Sequence, residues 1–143
     1  METLYKIVSE AHSGNRWLVL LMAIAIVVDF TIGWITKKKF GRMEEVFSLV
    51  YMIAVDVQLL IGLSLYLFLS PTIRHAFAGG VDMSDAQTRL YVLEHPLTMI
   101  LAIAFVHIGR VMVKKAASDE SKFKKGLLWF GLALVFILSR MPW

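Results

Sequence analysis

The chain has 143 residues, 58% hydrophobic and 18% charged, with a mean hydropathy of +0.69. A soluble domain carries about 45–50% apolar and about 25% charged residues, so one water-soluble core cannot absorb this excess. Cysteine is absent, which excludes disulfides, zinc–thiolate sites, iron–sulfur clusters and thioether-attached haem, and leaves His, Met, carboxylate and backbone groups to hold any cofactor. The net charge of +4 comes from basic residues placed where apolar runs stop, the pattern of a topology signal rather than of a nucleic-acid-binding face.

The expected fold is all-α: one integral-membrane four-helix domain over residues 1–143, with spans at about 16–36, 46–70, 90–113 and 126–142 and an outer loop at 71–89. Ahead of the first span, Leu4, Ile7, Val8 and Ala11 share one helical face opposite Glu2, Lys6 and Glu10. That spacing predicts an interfacial helix, broken near Gly14 and Asn15. The first span has no basic start and no small-residue cleavage pattern before Lys37, unlike a cleaved signal. It stops at Lys37, Lys38 and Lys39, and the second stops at Pro71. In the outer loop, Gly79 and Gly80 precede a stretch where Ser84 or Asp85 is placed to cap a short helix. Pro96 starts or kinks the third span, because it biases His95 away from the α region. The third span ends at Lys114 and Lys115, and the fourth is barely long enough to cross.

Ten basic residues fall on the side of the two Lys-rich connections and five on the other, which puts both termini and the 71–89 loop outside. A faint echo between Ile32-Gly33-x-Ile35 and Ile108-Gly109-x-Val111 suggests a weak two-helix internal repeat, with Gly33 and Gly109 at equivalent depth.

A charge at the bilayer centre costs about 2.5–3.5 kcal/mol, so polar residues inside the spans are the candidates for chemistry. Asp29, Asp56, Gln58 and His107 form an inner-to-middle group. Asp56 and Gln58 are about 200° apart on a helix and cannot both face inward. A carboxylate paired with His107 would orient a ligand imidazole, relay a proton or clamp helices together. The outer group is His12, Arg16, Glu94, His95 and Arg140, with Glu94 in reach of Arg16 or Arg140. Trp17, Trp143, Tyr5 and Tyr91 fit an aromatic belt. His75, beside Arg74 in the loop, reads as solvated.

Histidines on separate spans suit b-type haem, whose iron takes one imidazole from each face. His12 and His95 are the one pair near the same membrane face, although counting from Gly33 and Gly109 sets His12 about 10 Å beyond His95. A single-histidine tetrapyrrole at His95 or His107 is the alternative, with Met99, Met112 and Met141 as further axial candidates. Small residues, among them Ala23, Gly62, Ala102, Ala104, Gly131 and Ala133, would let helices approach closely.

His12-Ser13-Gly14-x-Arg16-Trp17, Gln58-Leu59-Leu60-Ile61-Gly62-Leu63-x-Leu65-Tyr66, Glu94-His95, His107-Ile108-Gly109-Arg110 and Pro142-Trp143 together resemble small bacterial four-helix membrane proteins labelled cytochrome B or cytochrome-b-like. The resemblance runs over nearly the whole chain and implies haem b held by His12 and His95, electron transfer, other membrane subunits as partners and the bacterial inner membrane as location. Members of that family often carry histidine where this chain has Asp56. No nucleophile–base pair, phosphate loop or metal motif accompanies these residues, so an electron carrier is expected rather than a stand-alone enzyme. Two other functions fit the residues: a small proton, ion or solute transport module using Asp29, Asp56 and His107, and a non-catalytic accessory subunit.

Overall fold

The computed structural model describes all 143 residues. It is 85% helical and contains no strand. Six α-helices follow in order: α1 (Glu2–Ile35), α2 (Arg42–Ser64), α3 (Pro71–Ala78), α4 (Ala86–Arg89), α5 (His95–Lys115) and α6 (Asp119–Ser139). Two π-helical turns, Leu65–Leu69 and Leu90–Glu94, extend α2 and lead into α5. Three stretches are long and apolar enough to cross a membrane: Glu2–Ile35, Arg42–Leu69 and Ala86–Lys115. The fourth expected span does not join them, because Asp119, Glu120, Lys122, Lys124 and Lys125 occupy the first turns of α6.

The expected break near Gly14 and Asn15 is absent, and α1 runs on for 34 residues. Asn15 bends helices when its side chain competes for nearby backbone groups. Here its amide is engaged elsewhere, donating to Gln58 Oε1 at 2.8 Å and reaching the Ala54 carbonyl on α2. The helix stops where the lysines begin. Lys37 takes a left-handed conformation at φ 55, the Lys38 N–H returns to the Gly33 carbonyl at 3.0 Å, and the Lys37 N–H returns to Trp34. Lys38 then bridges Glu44 at 2.8 Å and Asp29 at 3.1 Å, and its hydrogen bond to Glu44 holds the ammonium above the ordinary lysine value. Glu44 also accepts from the Gly41 N–H, which secures the start of α2.

Helices α1, α2, α5 and α6 pack in a ring, each against the next, with α6 closing on α1. Close helix approach depends on three glycines facing aromatic rings: Gly33 against Phe123, Gly126 against Phe30, and Gly109 against Phe130, where an added Cβ would overlap the ring. Phe30 stands edge to face with Phe123 and Phe130, and Tyr51 with Phe130, so aromatic rings from α1, α2 and α6 fill the middle of the ring. Ala23, Ala102 and Ala133 are fully buried at these contacts, whereas Ala104 faces outward and Gly131 meets nothing within 4 Å. Only 25 of 143 residues are buried, and large apolar side chains such as Leu21, Leu60 and Val135 cover the outside, an exterior suited to hydrocarbon rather than water.

The 71–89 loop is largely helical. Ser70 caps α3, with Pro71 in its first turn. Asp85 caps α4, accepting from the Thr88 N–H at 2.9 Å and from its hydroxyl, and these bonds hold the Asp85 carboxyl below the usual carboxylate range.

His95 departs from the expectation set by Pro96, for it keeps α-helical angles of φ −64 and ψ −52. The π turn just before it opens the backbone at the point where proline would otherwise collide with the preceding turn. Proline also withholds an N–H from the carbonyl four residues back, that of Val92. The Tyr66 hydroxyl donates to that carbonyl at 2.8 Å.

Candidate functional site

A cavity of about 670 Å³ lies at the end of the bundle that carries both chain termini, walled by α1, α2, α5, the outer loop and the C-terminal tail. Both π turns border it. His12 and Arg16, one turn apart on α1, face it, as do Gln58 and Gly62 from α2 and His95 from the start of α5. The His12 and His95 rings stand 6.4 Å apart between centroids and nearly perpendicular, at 89°.

The two imidazoles are held differently. His95 Nδ1 lies 2.9 Å from the Arg140 carbonyl, which can only accept, so Nδ1 carries the proton and Nε2 keeps a free lone pair. His12 sits over Gly62, where a Cβ would come within 3.0 Å of its Cε1. The His12 backbone carbonyl accepts from Gln58 Nε2 at 2.9 Å, and His12 Nδ1 is buried without a partner. Arg16 donates to the Pro142 carbonyl at 3.0 Å and leans over Trp17, itself 6.3 Å from Trp143, while its Nε is buried with no acceptor. Glu94 pairs with Arg89 at 2.8 Å and Arg140 at 3.2 Å, not with Arg16. Met99 and Met141 line the cavity and Met112 does not.

The depth mismatch between His12 and His95 disappears because Gly33 and Gly109 are not at one level. Gly33 packs on Phe123 and Gly109 on Phe130, seven residues further along α6. That offset is about 10 Å. It cancels the difference counted along α1 and α5, and it also removes the depth equivalence suggested by the internal echo.

The inner-to-middle group divides. Asp56 and Gln58 point to opposite sides, as their angular separation requires: Gln58 inward to Asn15 and His12, Asp56 outward to His107 at 2.7 Å. His107 lies outside the cavity and offers it no ligand. Asp29 belongs to neither arrangement, since it pairs with Lys38, so Asp29, Asp56 and His107 do not line one path. His75 is exposed, as expected.

Sequence reasoning missed Arg110, counted there only as a topology charge. It is 5% exposed and ties α5 to α2 through the Glu45 carboxylate at 2.8 Å and the Ser48 hydroxyl at 2.7 Å. Its signal was the position one turn before Lys114, still inside the apolar run. No group of three or more His, Cys, Asp or Glu gathers anywhere in the chain.

The chain matches no family model, no curated protein and no solved structure.

Proposed function

We propose that this chain is a membrane four-helix bundle, α6 its short fourth span and both termini on the outer side of a bacterial inner membrane, that holds one haem b between His12 and His95. It carries electrons within a larger redox assembly. The observation that supports this most directly is the two imidazoles, from different helices, lining one cofactor-sized cavity with ring centroids 6.4 Å apart. The cavity volume falls within the range of about 300–1,000 Å³ usual for cofactor sites. The likeness of the His12–Trp17 and Glu94–His95 segments to cytochrome-b-like proteins points the same way.

The residues present fit such a group. His12 and His95 would hold the iron, and Arg16, with its buried and unpartnered Nε, would meet the group's carboxylates. When bound, haem supplies a one-electron iron couple. The chain's part is to orient the His95 ring through the Arg140 carbonyl and to anchor the α1 backbone at His12 through Gln58. Val19, Val55 and Ile103 give part of the cavity an apolar wall.

Protein purified in mild detergent and titrated with haem is expected to develop a Soret band that shifts on reduction. His95→Ala and His12→Ala should each lose the bis-histidine spectrum. A folded, helical wild-type protein that retains no haem after the excess is removed by gel filtration overturns the reading.

A further inference from the structure

We propose that the chain pairs with a second copy of itself through the outward face shared by α2 and α5, with Asp56 and His107 at the centre of the contact. This is independent of what the cavity binds.

Asp56 lies near the midpoint of the Arg42–Leu69 stretch, and His107 lies about two turns before Lys114. Both are therefore deep in hydrocarbon. Their side chains remain 39% and 46% exposed on the outside of the bundle, where neither water nor a lipid headgroup reaches. Polar groups at that depth are normally turned into the protein. The bond between His107 Nε2 and Asp56 Oδ1 is the one hydrogen bond either side chain makes. In the net-neutral pair, whichever side holds the shared proton, Nδ1–H is left over as a donor and Oδ2 as an acceptor.

One donor and one acceptor side by side form a self-complementary patch. A two-fold axis beside them sets a second Asp56–His107 pair in the reverse sense, so that each leftover donor meets the other copy's leftover acceptor. The surrounding shape permits the approach. Leu49, Ile53 and Leu60 on α2, and Ile100 and Val111 on α5, are exposed in stripes at spacings of three, four and seven residues around the pair. Ala104, one turn from His107 on the same face, is also exposed and removes side-chain bulk where two helices would cross. The match of acid to base is what selects a second copy: an unrelated apolar helix would leave both leftover atoms in lipid.

Because the chain has no cysteine, single-cysteine variants of the full-length protein report proximity cleanly. In native membranes, Ala104→Cys should form a disulfide-linked dimer under mild oxidation, and Val28→Cys, exposed on α1, should not. In detergent, the double variant Asp56→Leu/His107→Leu should lower the dimer association constant about tenfold while keeping its helical spectrum. Cross-linking by Ala104→Cys no greater than by Val28→Cys overturns the proposal, as does a folded double variant with unchanged association. Co-purification of a different polypeptide cross-linked at Ala104→Cys overturns it too. If the double variant fails to fold, the cysteine comparison alone decides.

Discussion

Gly62 leaves room for an imidazole. A Cβ there would come within 3.0 Å of His12 Cε1, tighter than ordinary packing, and the ring would have to move. On the proposed haem reading, Gly62→Ala is therefore expected to weaken haem retention about tenfold, the usual scale for a group that orients a metal ligand. Titration of the apoprotein measures it, with helical content unchanged. Residue chemistry was partly legible from the chain itself. That Asp56 and Gln58 face opposite ways follows from helical angle, although which of them turns inward does not, and His107 finds a carboxylate partner in Asp56. Which partner an outer cation takes was not legible. Glu94 meets Arg89 and Arg140 while Arg16 turns to a backbone carbonyl, because the tail folds back at the same level.

Among the elements, the junction into α5 shows how a helix tolerates an internal proline. Pro96 leaves the Val92 carbonyl without its helical donor, the π turn makes the space, and Tyr66 supplies a hydroxyl from across the cavity wall. Tyr66→Phe keeps the ring against Phe77 and removes that hydroxyl. It is expected to cost about 1–2 kcal/mol, read as a lower unfolding midpoint in detergent, because a buried carbonyl is left unpaired. An unchanged midpoint would mean the carbonyl finds another donor. Proline signals a disturbance in sequence, but the π register that absorbs it depends on Tyr66, thirty residues earlier in the chain. The continuity of α1 has a similar origin. Gly14 and Asn15 look like a helix break until Asn15 is seen bonded to α2. Helix levels were least legible, since glycines in similar local patterns pack two turns apart on α6.

Over the whole molecule, composition carried the most information. An apolar exterior around a small core is what 58% hydrophobic residues in 143 require, and three of the four expected spans are long and apolar enough to cross. The charge asymmetry leads to a direct topology test. In intact cells, Asp82→Cys should react with a membrane-impermeant thiol reagent, and Lys39→Cys should react only after permeabilisation. The reverse pattern would invert the orientation. The fourth helix resisted reading because its cost is local: charged residues fill its first turns, and burial of Phe123, Phe130 and Ile137 against α1 and α5 holds the rest in place.

The walls of the cavity come from Tyr5 near one end of the chain and Pro142 near the other, with α2 and α5 between them. A ribosome delivers these parts in sequence, and the bundle closes on the last of them. The wall that α6 and the tail supply is therefore the last to be added, and a ligand seated there is fully enclosed only once α6 is in place. A chain stalled before α6 would lack the Ile137, Met141 and Pro142 wall and the Arg140 carbonyl that fixes His95.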